Sequence, residues 1–135
     1  MSIYVERARE LRGRTDIHFN CAQSVLIPFA GLCGLDEETA FNLGFNFGGG
    51  MKRGSVCGAV TGSLMVLGLC GVNDPSVLRR FHQRFAGNHG GLLNCAELVS
   101  DNAAKGGVKK PFCDGLVCEC VSAVEEILKE NGILS

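Results

Sequence analysis

The cysteines are the residues of this chain most capable of chemistry. The chain has 135 residues and contains eight of them, a high count for its length. They are Cys21, Cys33, Cys57, Cys70, Cys95, Cys113, Cys118 and Cys120. A thiolate is both a nucleophile and a metal ligand, so the available chemistry depends on which thiols the fold ionises and brings together.

Four of these cysteines are predicted to lie at or beside helix N-termini. In Asn20-Cys21 and Asn94-Cys95 a capping residue comes directly before the cysteine, and Ser55 comes two residues before Cys57. Cys113 stands at the predicted start of the last helix. First-turn N–H groups have no intrahelical partner, and the helix dipole is positive there, so this position favours a thiolate.

These shared positions predict one site formed by Cys21, Cys57, Cys95 and Cys113. We expect Cys57 to be the main nucleophile, because it opens the most apolar predicted helix and follows two cations, Lys52 and Arg53. The other three cysteines would then be resolving thiols or ligands. Burial opposes ionisation of Cys57, since desolvation raises the pKa of a thiol.

The remaining cysteines are predicted to pack rather than react. Cys33 and Cys70 each precede a glycine at the end of a predicted helix, where the dipole disfavours a thiolate. Cys120 lies on the apolar stripe of the last helix, while the role of Cys118 stays open. His18 precedes Cys21 by three residues and is a candidate proton carrier, although a solvated loop histidine is the commoner case.

The elements that must position these residues are predicted to be helices. Capping residues and apolar periodicity indicate an all-α bundle of about six or seven helices around a buried apolar helix at about 55–70, in a single domain over 1–135. No strand is predicted, and residues 101–112 are expected to form a loop. The helices are expected at 3–12, 21–29, from 37 onward, 56–69, 75–85, 95–100 and 114–130.

Composition excludes several classes of function. A net charge of −1 gives no basic surface for nucleic acid. The apolar stretch 56–72 is short for a membrane span and contains Gly58 and Gly62, whose spacing instead lets a neighbouring helix approach closely. The sequence shows no secretory signal, so we expect a cytoplasmic location, where disulfide scaffolds are rare.

Several segments resemble one known family. Cys57-Gly58-Ala59-Val60-Thr61-Gly62 is similar to the central motif of the C_GCAxxG_C_C family of redox-active proteins. Asn20-Cys21-Ala22-Gln23 and Cys95-Ala96-Glu97-Leu98 resemble its first and third cysteine regions. Cys113 resembles the fourth, although Cys118 and Cys120 leave that assignment open. The resemblance implies redox activity and names no substrate.

Two functions from different classes remain at this point. The first is thiol–disulfide or related redox chemistry, with a redox partner or small molecule that the sequence does not identify and with enzymatic turnover left open. The second is a metal-binding module without catalysis, in which Cys21, Cys57, Cys95 and Cys113 hold zinc or an iron–sulfur cluster. The cofactor is therefore none, zinc or an iron–sulfur cluster, and a homodimer is compatible with the sequence.

Overall fold

The computed structural model describes residues 2–135, and its regular structure is helical. Within these residues the one β feature is an isolated antiparallel bridge between Val56 and Asn94. The predicted all-α fold is therefore confirmed. In chain order the helices are α1 (Ile3–Gly13), α2 (Cys21–Phe29), α3 (Glu37–Gly44), α4 (Gly58–Leu69), α5 (Pro75–Asn88), α6 (Cys95–Ala104) and α7 (Lys109–Glu130).

Side-chain caps determine where several helices begin. The Asn20 side chain accepts the N–H of Gln23, and the Gln23 side chain accepts the N–H of Asn20, both at 2.8 Å. This capping box satisfies two first-turn donors and starts α2 at Cys21, as predicted. The side chains of Asp36 and Asp74 cap α3 and α5 by accepting the N–H of Thr39 and of Ser76, respectively.

Helices α2 and α4 form the centre of the core, and α7 packs against both. A Cβ atom at Gly62 would lie 2.8 Å from the carbonyl oxygen of Ala22, and one at Gly58 would lie 3.1 Å from the Ala22 nitrogen. The two glycines therefore allow the close approach that their spacing predicts. Helix α4 is central as expected, but α2 is buried more completely, with seven of its nine residues inside.

The predicted boundaries around the last helix are wrong. Helix α6 continues to Ala104, and α7 begins at Lys109 rather than near Asp114, so most of the expected loop 101–112 is helical. Pro111 lies in the first turn of α7, where a missing N–H costs no intrahelical bond. Cys113 is consequently the fifth residue of α7 and does not lie at the N-terminus of that helix.

Ser55 is not the N-cap of α4, contrary to the prediction; Cys57 occupies that position. The reason is the preceding segment, in which Gly49, Gly50, Met51 and Lys52 all have φ between 59° and 65°. This left-handed turn returns the chain so that the Ser55 N–H donates to the Gly50 carbonyl at 2.9 Å. Residues 55–56 are then extended and form the short bridge to the start of α6.

None of the helices in the described part of the chain is long and apolar enough to cross a membrane.

Candidate thiol site

The four predicted site cysteines converge from four helices. Cys21 begins α2 and lies against the start of α4, where a Cβ atom on Gly58 would be 3.4 Å from the Cβ of Cys21. The N–H of Cys57 donates to the Leu93 carbonyl at 2.8 Å, and the N–H of Cys95 donates to the Ser55 carbonyl at 2.7 Å. These two bonds hold the starts of α4 and α6 side by side.

Cys113 completes the cluster from α7. The Cys21 and Cys113 side chains interact and titrate as a pair, and Cys57 and Cys95 are close enough to influence Cys113 electrostatically. Cys21, Cys95 and Cys113 line a small cavity of about 100 Å³, whereas Cys57 is buried and only 3% exposed. The structure thus brings the four predicted cysteines together, with three of them facing one cavity.

Cys113 is the thiol whose surroundings favour ionisation. The hydrogen bond from Cys21 lowers the pKa of Cys113 to about 6, and the charges of Arg12 and Lys109 act in the same direction against burial. The same hydrogen bond, together with burial, raises the pKa of Cys21 well above its usual value. At neutral pH this pair therefore consists of a thiolate and the thiol that donates to it.

The surroundings of Cys57 do not favour the expected thiolate. Burial raises the pKa of Cys57 to about 11, although the N–H groups of Ala59 and Val60 in the first turn of α4 oppose this. Lys52 was expected to add positive charge beside the Cys57 thiol. Its Nζ instead lies over the ring of Phe45, 5.0 Å from the ring centroid. Burial also raises the pKa of Cys95. Desolvation outweighs the helix terminus at both positions.

Arg12 is a site residue that the sequence analysis missed. Its side chain is only 10% exposed, donates from Nε to Asp114 at 2.7 Å, and donates to the Phe19 carbonyl at 2.8 Å. Asp114 follows Cys113 in the chain and so holds the guanidinium beside the thiol pair. Nothing in the sequence marks this contact, because Arg12 and Asp114 are 102 residues apart.

Cations surround the entrance to the cluster. A cavity of about 310 Å³ reaches Cys113 and shares four residues with the smaller one. Exposed Lys109 and His18 are among the shared residues, so His18 lies near Cys21 as its sequence position suggests. A second histidine, His89, pairs with Glu119, with 2.8 Å between Nε2 and Oε1. The larger cavity is lined by Arg12, Arg14, His18, Phe19, Lys109, Lys110 and Cys113.

The other cysteines divide into three environments. Cys120 is buried on the predicted apolar stripe, and burial raises its pKa. Cys118 is half-buried on the same helix. Cys33 and Cys70 pack against the core as expected, but their Sγ atoms are also 3.2 Å apart, a pairing that their sequence positions did not predict.

No group of three or more His, Cys, Asp or Glu side chains between residues 2 and 135 is arranged so that it could hold a metal ion. The clustered thiols therefore give the metal-binding alternative no geometric support. That alternative stays a prediction, which metal analysis of protein purified without oxygen would test.

Comparison with known proteins agrees with the cysteine pattern. Residues 19–127 match a family model described as "Putative redox-active protein (C_GCAxxG_C_C)". The matched segment includes all eight cysteines. No curated protein and no solved structure matched the chain. Since the family model matches well over half of the chain, the chain belongs to the C_GCAxxG_C_C redox-active protein family.

Proposed function

We propose that this protein carries out thiol–disulfide exchange, with Cys113 as the attacking thiol and Cys21 as the resolving thiol. The observation that carries the proposal is the interaction of the Cys21 and Cys113 thiols beside the half-buried Arg12, which favours a thiolate on Cys113. A thiolate with a pKa near ambient pH is the most effective attacker in such exchange. A reducing compartment such as the cytoplasm would keep both thiols available.

The reaction proceeds in two displacements. The Cys113 thiolate attacks one sulfur of a substrate disulfide, forming a mixed disulfide and releasing a thiolate that takes a proton from solvent. Cys21 then attacks the Cys113 sulfur, and its own proton goes to the second leaving thiolate. The two cysteines are oxidised to a disulfide, and the substrate disulfide is reduced to two thiols.

Cys95 and Cys57 take supporting roles in this proposal. Cys95 is half-buried and lines the same small cavity as the thiol pair, so it is an additional acceptor for the mixed disulfide. Cys57 is deeply buried at the start of α4, where we expect it to stay protonated and to hold the cluster in shape. Together the four thiols form one redox centre within a domain spanning 1–135.

The substrate that suits this site is a small anionic disulfide. Arg12, Lys109 and Lys110 line the cavity that reaches Cys113, and its volume of about 310 Å³ lies at the small end of ligand pockets. A cavity lined by charges of one sign concentrates ligands of the opposite sign. The favoured substrate therefore carries carboxylates close to its disulfide.

The test uses the reduced protein and dithiobis(nitrobenzoate), a disulfide with one carboxylate on each half. At pH 6.5 we expect a fast phase that releases both thionitrobenzoate halves, because Cys21 resolves the first adduct. In Cys21→Ser the fast phase should release one half and leave the other bound to Cys113. Charge preference is tested with two aliphatic disulfides, anionic dithiodipropionate and cationic cystamine, each rate being divided by the rate of the same disulfide with mercaptoethanol. The anionic disulfide should be favoured at least about tenfold, and salt should reduce that preference.

Cys118→Ser is the matched control, since Cys118 lies on the same helix, is half-buried and stands outside the cluster. It should keep the fast phase, whereas Cys113→Ser should lose it. A fast phase that survives in Cys113→Ser, or a first adduct found on another cysteine, would refute the proposed role of Cys113. Release of both halves by Cys21→Ser would show that another thiol resolves the adduct.

A further inference from the structure

Cys33 and Cys70 form a pair of their own outside the four-cysteine cluster. Their Sγ atoms are 3.2 Å apart. Both side chains are half-buried, so each packs against the core on one side and keeps some contact with solvent. A small reagent can therefore reach the two sulfurs without unfolding of the chain.

The same type of helix ending holds each of the two cysteines. Each directly precedes a glycine in the left-handed region, Gly34 with φ of 77° and Gly71 with φ of 81°. The N–H of the residue after each glycine bonds back to the carbonyl five residues earlier, at 2.9 Å for Leu35 and 2.8 Å for Val72. These are two Schellman motifs side by side, and they fix both backbones where the sulfurs meet.

The pair is remote from the proposed site at Cys113. Cys33 comes twelve residues after Cys21, and Cys70 comes thirteen residues after Cys57. Helix α4 is continuous from Gly58 to Leu69, so Cys57 and Cys70 lie at its opposite ends, about 20 Å apart at about 1.5 Å per residue. A disulfide requires Cα atoms within about 7 Å, so thiols cannot exchange directly between the two ends.

We propose that Cys33 and Cys70 are a second redox site, a dithiol that a small disulfide such as oxidised glutathione converts into an intramolecular disulfide. One cysteine attacks the glutathione disulfide and releases one glutathione thiolate. The second cysteine attacks the resulting mixed disulfide and releases the other. Two protein thiols are oxidised, one glutathione disulfide is reduced to two thiols, and the protein's two protons pass to the released thiolates.

Either thiol can donate across the short contact between the two sulfurs, so the geometry leaves both orders of attack open. Burial, and then the contact with Cys70, raise the pKa of Cys33 to about 12. The new bond would join the ends of α2 and α4, the two helices at the centre of the core.

The test is peptide mapping of the full chain after equilibration with oxidised glutathione and trapping of free thiols. Trypsin leaves Cys21 with Cys33 in residues 15–52 and Cys57 with Cys70 in residues 54–79, so a link between these peptides is ambiguous in the natural chain. In the Cys21→Ser/Cys57→Ser double variant, the same link can join only Cys33 to Cys70. We expect it to form there and to raise the thermal midpoint by about 5 °C or more.

Two triple variants, and a third triple variant as control, decide the outcome. Adding Cys33→Ser or Cys70→Ser to the double variant should abolish the link, whereas adding Cys118→Ser should leave it intact. Absence of the link in a chain that circular dichroism shows to be folded would overturn the inference. Because this inference does not rest on the proposed function, slow reaction of Cys113 in the separate kinetic test would leave it standing.

Discussion

At the residue scale, Cys57 and Cys113 have pKa values shifted in opposite directions, and comparing them shows what controls the ionisation of a thiol in this cluster. Cys57 has first-turn N–H groups near its sulfur, yet burial raises its pKa to about 11. Cys113 lies one turn inside its helix, yet the Cys21 hydrogen bond lowers its pKa to about 6. A helix terminus alone shifts a pKa by only about one unit, so a specific donor and nearby charges decide the outcome.

The first prediction concerns alkylation rates of individual thiols in the reduced protein. Cys113 should titrate with a midpoint near pH 6 and react at pH 7 at least about a hundredfold faster than Cys57, which stays protonated until about pH 11. The measurement is iodoacetamide labelling against pH, read for each cysteine by mass spectrometry. A Cys57 midpoint below pH 8.5 would restore Cys57 as the main nucleophile.

A charge variant separates the causes of this low midpoint. Lys109 is exposed, and its charge lowers the pKa of Cys113. Lys109→Gln should therefore raise the Cys113 midpoint by about half a unit, which lowers the free energy of unfolding by no more than about 0.7 kcal/mol. Lys105→Gln is the matched control, because Lys105 pairs with Asp101 on α6. An equal shift in both variants would mean that overall charge, rather than Lys109, sets the midpoint.

At the element scale, the local features of the sequence predicted the helices well where a capping residue was present. Asn20 and Asp74 begin α2 and α5 where expected. Prediction failed where an irregular backbone turn or a contact between distant residues decided the structure. The left-handed turn before α4 depends on the Ser55–Gly50 bond, and the Arg12–Asp114 contact joins opposite ends of the chain. Neither interaction leaves a periodic pattern in the sequence.

A third prediction tests the close contact between α2 and α4. In Gly62→Ala the new methyl group would lie 2.8 Å from the Ala22 carbonyl oxygen, which belongs to the backbone and cannot move alone. We expect a loss of about 1–3 kcal/mol in the free energy of unfolding, measured by urea denaturation. Gly68→Ala on the same helix has no atom within 4 Å of its new methyl group and should stabilise by up to about 1 kcal/mol. Equal effects at both positions would argue against close packing.

At the scale of the whole molecule, the thiols are organised by one parallel pair of helices. The starts of α2 and α4 place Cys21 and Cys57 in the cluster with Cys95 and Cys113, and their far ends place Cys33 beside Cys70. Arg12 connects α1 to α7 next to the cluster. Because the charge of Arg12 acts on Cys113, the ionisation of Cys113 should affect the free energy of unfolding of the whole bundle.

The last prediction follows from this coupling and concerns stability against pH. The pKa of Cys113 is about 6 in the folded protein and near 9 in an unfolded chain. A group whose pKa is lower when folded stabilises fully above its unfolded pKa, and this stabilisation is lost as pH falls through its folded pKa. A thiol with a raised pKa, such as Cys57, ionises only in the unfolded chain as the pH approaches 9, and it is present in both proteins compared below, so its contribution cancels. Under reducing conditions, the free energy of unfolding of the natural protein relative to Cys113→Ser should therefore rise steadily from pH 5.5 to pH 8.5. Subtracting the variant cancels the acidic groups and histidines that both proteins share. A difference that stays flat or falls over this interval would show that Cys113 is not a thiolate in the folded protein, and the proposed attack by this residue would lose its basis.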